Sequence, residues 1–267
     1  MNPMGTAVVP AGNKHLSEPE GFAQKMMKTL QPEGWETVQQ ILVILAHPDD
    51  PEFFCGATIA RWTDAGHQVS YCLLTCGDKG THDRQMSGDR LCSIRHQEQQ
   101  RAANLLGVRR VRFLDFPDGY LVADLELRKA ITRVIREEKP DVVVTCDPQL
   151  LFVGDERINH PDHRAAGQAC VDAIFPAARD HLYFPELLEE GLEPHIVREV
   201  WVSLAVEPNV VLDVTDLWER KIEAILCHRS QIADEDALRN RMKNRLAKDS
   251  TPEQPRYEEA FRRIRLG

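Results

Sequence analysis

The sequence predicts a doubly wound α/β fold, with a mostly parallel sheet between two helical layers. Three observations predict it. Continuous apolar runs such as ILVIL at 41–45 and DVVVTC at 141–146 read as strands covered on both faces. Segments of helical period separate these runs, and strands alternating with helices of that length build right-handed βαβ units. Polar clusters follow two of the strands, at 47–52 and 159–163. Open parallel sheets bind their ligands there, beyond the carboxyl ends of the strands. The architecture is therefore Rossmann-like, a three-layer α/β/α arrangement.

The elements follow in order. Residues 1–35 form an N-terminal extension whose Pro and Gly suggest a flexible lead-in, with a short amphipathic helix predicted over Gly21 to Leu30 (GFAQKMMKTL). The domain proper is assigned to 36–250. Val38 to Ala46 is its first strand, and Phe53 to Ala65 a helix stopped by Gly66. Gln68 to Cys76 is the second strand. Gly77 to Arg90 is polar and aperiodic and reads as a long loop, a type that is often functional. A helix over Leu91 to Leu106 ends at Gly107, and Arg110 to Phe116 is the third strand, followed by the turn Pro117-Asp118-Gly119. Asp124 to Glu138 is helical and Asp141 to Cys146 the fourth strand. Small and apolar residues from Ala165 to Ile174 recur at helical spacing behind Pro161, which suits a first helical turn. Phe175 to His195, rich in Pro, aromatics and Glu, is expected to cover the site. Val197 to Val206 and Asn209 to Val214 are two further strands. Helices follow at Asp216 to Cys227, with Asp216 as its cap, and at Ala233 to Lys248. Residues 251–267 are read as a charged C-terminal tail. There is no internal repeat.

Composition excludes several classes. With 267 residues the chain can bury one large core or two small ones. Its 33 basic and 42 acidic residues give a net charge of −9, which argues against a nucleic-acid phosphate partner. No apolar run approaches the roughly 20 residues of a membrane span. No charged n-region precedes an apolar core, so no secretory signal is read and the expected location is cytoplasmic. The seven cysteines are odd in number and lack a CxxC pair, which fits buried, reduced thiols. Cys72 and Cys76 would share a strand face, a spacing that also admits a thiolate metal site. His67, His82, His96 and His181 are read as structural or exposed.

The chemistry concentrates in His47-Pro48-Asp49-Asp50-Pro51-Glu52 and Asn159-His160-Pro161-Asp162-His163. Imidazole and carboxylate groups are good ligands for zinc and similar ions. With the common 3-2-1-4 strand order, the strands ahead of the two segments are neighbours and the segments meet across the switch-point crevice.

AHPDDPEFFCGATIA followed by HPDHRAAGQA resembles the LmbE-like, or PIG-L, family of metal-dependent N-deacetylases, which act on N-acetylglucosamine units and their conjugates. The resemblance runs from the first strand to about residue 231. It implies metal ligation by His47, Asp50 and His163, with an open position for water. Asp49 then resembles the general base; the alternative is a carboxylate that caps the following helix. His160 resembles a protonated stabiliser of the tetrahedral oxyanion, and Asp162 would orient one histidine of its own segment or favour the helix start. Arg95, three residues before Glu98, and Asp118 match groups that hold sugar hydroxyls in relatives. Without the resemblance, Arg95 and Glu98 read as a surface ion pair and Asp118 as a turn former. Gly56-Ala57 replaces a glycine pair, and Ile158 stands where some relatives carry tyrosine. The roles of Glu52, Glu98 and His228 stay open.

The implied activity is zinc-dependent removal of an acetyl group from an N-acetylglucosamine-type amino sugar or its conjugate. Ferrous iron competes for the same ligand set. An ionised Asp49 and a protonated His160 together imply a bell-shaped pH profile. One rival is an amidase acting on a larger acyl or peptide-like amide. Another is a non-catalytic sugar- or nucleotide-binding domain, which the missing G-x-G-x-x-G loop disfavours. Whether the chain forms a homo-oligomer stays open.

Overall fold

Strand β1 (Gln40–Leu45) is the centre of the molecule, with Ile41 through Leu45 at most 2% exposed. This computed structural model describes residues 33–251 and 253–266; the helix expected at 21–30 lies outside them. Thr37–Gly267 is one compact unit, and the other unit, Met1–Glu36, contributes only residues 33–36 to the description.

Strands β2 (Gln68–Thr75), β3 (Arg110–Phe116) and β4 (Val142–Cys146) join β1 in the expected order, β3-β2-β1-β4, all parallel. Ile41 pairs with Val69 on one side and Val142 on the other. The sheet continues through β7 (Glu199–Ser203), parallel to β4. A two-strand ribbon, β5 (Phe152–Val153) with β6 (Arg157–Ile158), stands apart from it.

Helices α1 (Asp50–Asp64), α2 (Gly88–Leu105), α3 (Leu125–Glu138) and α4 (Pro161–Asp172) fill the crossovers. Helix α2 starts ahead of the expected Leu91 because Ser87 caps it, its hydroxyl accepting from Arg90 N. Helix α4 packs on the end of β4 at Gly167, where a Cβ would lie 2.3 Å from Cys146 O. Only glycine fits, and this contact brings 159–163 beside the loop after β1.

Four expectations need correction. Residues 251–267 are not a tail: Glu258–Arg265 forms β9, which pairs antiparallel with both β7 and β8 (Val210–Asp213). Asp216 does not cap a helix; it lies in a 3₁₀ turn, Thr215–Leu217, before α6 (Trp218–Leu226). The next helix is shorter than 233–248: α7 spans Glu235–Lys243, capped by the Asp234 carboxylate on Ala237 N. Finally, 175–195, with the short α5 (Pro185–Glu189), does not line the site cavity. Its carbonyls at Ala177, Ala178, Asp180, Tyr183 and Leu192 accept from the buried Arg136 of α3 instead.

Strand β9 also supports the site. Helix α1 is kinked at Cys55 (φ −148°), and the amides of Ala57 and Thr58 donate to the buried Glu259 carboxylate at 3.2 and 2.7 Å. Lys221 bridges Glu259 (2.5 Å) and Phe53 O (3.0 Å). A buried carboxylate is tolerated only with such a full set of donors.

The cysteines are not uniformly reduced. Cys76 and Cys92 form a disulfide, with Cα atoms 5.1 Å apart, within the range such a bond accepts. Cys72 is free and buried, so the Cys72–Cys76 pairing is not formed.

Candidate active site and metal centre

The two polar segments meet as the strand order requires. Ligand atoms of His47, Asp50 and His163 lie within 4.8 Å of one another. His47 Nδ1 is 3.3 Å from Asp50 Oδ2, and His163 Nε2 is 3.1 Å from Asp50 Oδ1. The outer ring nitrogens are partnered too. His47 Nε2 faces Asp118 Oδ1 at 3.2 Å and Asp162 Oδ2 at 3.3 Å, and His163 Nδ1 faces Asn159 Oδ1 at 3.0 Å. Metal-ligating imidazoles are usually fixed by such outer partners. Two imidazoles and a carboxylate, buried and converging, are a donor set that fits a divalent ion with a free coordination position.

Charge follows this geometry. Burial lowers the His47 pKa, but the Asp50 charge and the bonds from Asp118, Asp162 and Asp50 outweigh it and raise it well above the usual value. Burial also disfavours ionised Asp50, yet His163 and His47 pull its pKa far below the carboxylate range. Three carboxylates around one imidazole thus call for positive charge, which a bound cation would supply.

Asp49 precedes α1 in the left-handed region, φ 89°, an uncommon and costly place for a non-glycine residue. Two contacts hold it there. Its amide donates to Gln99 Oε1 at 2.9 Å, and Arg95 Nη2 approaches its Oδ1 at 3.3 Å. It makes no side-chain capping bond, so the capping reading fails. Burial raises its pKa to about 6, with Arg95 opposing and Asp50 reinforcing.

Arg95 is buried and does not pair with Glu98. It donates to Pro48 O (2.5 Å) and Gly77 O (3.0 Å), while Glu98 accepts from Ser230 N and Oγ. Gly77 (φ +70°) is obligatory, since a Cβ there would meet the guanidinium at 2.0 Å. Asp118 is more than a turn former: Lys79 N donates to Oδ2 at 3.0 Å, and Oδ1 faces His47. Burial would raise its pKa, but these two bonds hold it down to about 2.

His160 caps α4, its Nδ1 accepting from Asp162 N at 3.2 Å. Burial and then His47 lower its pKa, against the pull of Asp162. Both facts favour a neutral ring with the proton on Nε2, not an imidazolium. The Asp162 carboxylate bonds to neither histidine of its own segment. It accepts from Gly119 N (2.7 Å) and Leu121 N (3.2 Å) and faces His47 across the crevice.

The cavity above these groups measures about 550 Å³. Its lining includes Arg157 of β6, Arg241 of α7 and Arg245 just beyond that helix. Among the described residues none of the three has an ion-pair partner. Burial and then the neighbouring Arg241 and Arg157 lower the Arg245 pKa.

Residues 42–174 match the family model for GlcNAc-PI de-N-acetylase, PIG-L. The chain is 38% identical over 203 residues to diacetylchitobiose deacetylase of Thermococcus kodakarensis, covering 76% of this chain and 74% of that protein. The chain belongs to the PIG-L family. It is also 27% identical to a probable N-acetyl-alpha-D-glucosaminyl L-malate deacetylase 2 of Bacillus anthracis, covering 73% and 82% of the two chains. Among solved structures it superposes on N,N'-diacetylchitobiose deacetylase of Pyrococcus horikoshii with a TM-score of 0.78, 30% identity and coverage of 93% and 95%.

Within this PIG-L chain, all eight residues singled out from sequence lie at or beside one crevice. Sequence reasoning missed Gln99, gave Asn159 no role within its segment, and left Glu52 and His228 unplaced. Glu52 accepts from Gln99 Nε2 and His228 Nε2, forming a buried relay that ends on the Asp49 amide. The available signals were spacing: Gln99 is four residues from Arg95 on one helix face, and Asn159 four before His163.

Proposed function

We propose that this chain hydrolyses the acetamide of an N-acetylglucosamine-type sugar, with zinc held by His47, Asp50 and His163. The observation that carries this reading is Asp49, poised near neutrality beside that donor set. Zinc bound there would polarise the acetyl carbonyl and lower the pKa of water toward ~7. Asp49 takes the proton of the attacking water and later delivers it to the departing amine. Arg95 and Gln99 keep Asp49 in its strained position. His160 donates Nε2–H to the developing oxyanion, and Asp118 and Asp162 lock the ring of His47. Zinc is preferred to ferrous iron because amide hydrolysis needs no redox change. We place the reaction in the cytoplasm, where the buried free Cys55, Cys72, Cys146 and Cys170 stay reduced and the Cys76–Cys92 bond is open to reduction; among the described residues no helix is long and apolar enough to cross a membrane.

The direct test is acetate release from an N-acetylglucosamine oligomer by purified protein. The rate is expected to vanish on chelation and return with zinc; chelator-resistant release would overturn the reading.

The substrate's far end is read from the cavity wall. Three unpaired guanidiniums favour a sugar conjugate bearing carboxylate or phosphate, as the name of the malate-conjugate relative also suggests. Charge-assisted bonds contribute about 1.5–3 kcal/mol each. The double substitution Arg241→Gln/Arg245→Gln is therefore expected to lower the preference for an acidic over a neutral conjugate by ~10²–10⁴-fold, read as a ratio of kcat/KM values. An unchanged ratio refutes the acidic-substrate reading alone.

The pH profile follows from two shifts of known sign. Below about 6 Asp49 takes up a proton and cannot act as base, so kcat/KM rises with pH through that value or lower once a cation is bound. His160 has a lowered pKa and is already neutral above it, so it supplies no basic limb. His160→Gln should cost ~10²–10³-fold at every pH. A basic limb that disappears in this variant would restore the imidazolium reading.

A further inference from the structure

We propose that Cys76, Cys92, His96 and Asp115 form a second metal site, a thiolate zinc site available only when the Cys76–Cys92 disulfide is reduced. One ligand atom from each of the four lies within 4.8 Å of the others. Three elements supply them: Cys76 follows β2, Cys92 and His96 stand one turn apart on α2, and Asp115 belongs to β3. Residues four apart on a helix share a face. His96 Nε2 lies 3.7 Å from Cys92 Sγ and 3.2 Å from Asp115 Oδ1. The ring is held by stacking on Phe113, centroids 3.7 Å apart at 27°. Asp115 adopts φ 52° within a strand, a left-handed backbone that costs free energy unless something repays it.

A disulfide uses two sulfurs and needs neither an imidazole nor a carboxylate. The geometry supplies both, giving two sulfurs, one nitrogen and one oxygen. That set matches four-coordinate zinc with no position left for substrate, a structural site. It differs in kind from the His47–Asp50–His163 set, which contains no sulfur.

The disulfide and the metal exclude each other. A dithiol reductant transfers two electrons and two protons to the Cys76–Cys92 bond, giving two thiols and its own cyclic disulfide. Zinc then displaces both thiol protons as it binds the two thiolates, the His96 nitrogen and the Asp115 oxygen. Thiol–disulfide exchange with a small-molecule disulfide, which takes the two electrons and leaves as two thiols, restores the Cys76–Cys92 bond and releases the ion. Either bond ties Cys76 to α2 at the base of the loop that carries Gly77 and Lys79, whose carbonyl and amide meet Arg95 and Asp118. Only the reduced, metal-free state leaves that base untied.

The test uses the full chain and cobalt(II) alone as probe. Protein is stripped of metal, reduced with a dithiol, desalted without oxygen and titrated. The reduced protein is expected to take two equivalents and show a near-ultraviolet thiolate-to-cobalt charge-transfer band. The oxidised protein should take one equivalent and show no band. This comparison needs no variant. His96→Ala and Cys92→Ser should each lose the band and one equivalent while keeping the other, which also reports an intact fold. Zinc should displace the cobalt and be freed on oxidation. A single equivalent without a thiolate band in the reduced protein overturns the proposal, as does a band of full strength in His96→Ala. Because the catalytic donor set has no sulfur, the band is independent of whether the chain deacetylates anything.

Discussion

Asn in place of Asp49 leaves a protein that keeps its metal and turns over ~10²–10⁴-fold more slowly. The amide cannot accept the proton of the attacking water, so the loss falls on kcat. The fold should tolerate the change. Asn is among the few residues that accept the left-handed backbone found at φ 89°, and the bond from the residue 49 amide to Gln99 survives. Arg95 loses one charged contact but keeps Pro48 O and Gly77 O. Metal content and acetate release, measured on the same sample, check the result. A variant that loses its metal but regains activity in excess zinc would make Asp49 a ligand and leave the base unassigned.

His163→Ala is expected to lose metal and activity together. It removes one of three protein ligands and leaves Asp50 with one imidazole instead of two. Outer-partner substitutions already cost about 10–100-fold in metal affinity, so removal of a ligand should exceed that. Two outcomes separate this variant from Asp49→Asn: its metal content falls, and excess zinc restores it only in part. Full metal content with low activity would move His163 out of the ligand set.

What was legible in the sequence had a period or a dense local signature. The buried runs of β1, β2 and β4 could only be strands, and glycine marked the ends of α1 and α2. The two metal segments were visible because ligand-type residues crowd within a few positions, and their convergence followed from strand order. The remainder was hidden by charge. Strand β9 reads EEAFRRIR, and its inward positions include Glu259, whose burial depends on Lys221 and on amides freed by a kink in α1. Arg136 carries a surface-type side chain on a helix yet is buried among carbonyls. Arg241 and Arg245 look like the solvated face of a polar helix, and only the fold reveals that both line the cavity. Gln99 is neutral and unremarkable until its two ends are seen on Glu52 and Asp49.

The bond between Glu259 and the Ala57 amide spans 202 residues. Bringing such distant points together costs the unfolded chain roughly 5 kcal/mol in loop-closure entropy. The cost falls before the contact gives anything back, so pairings of this range form late. Helix α1, which presents Asp50, gains its bonds to Glu259 only when β9 has docked, and His163 joins it from another distant stretch. Ion capture therefore belongs to the end of folding. A chain that has built its central sheet but not its last strand has both halves of the donor set and no fixed distance between them.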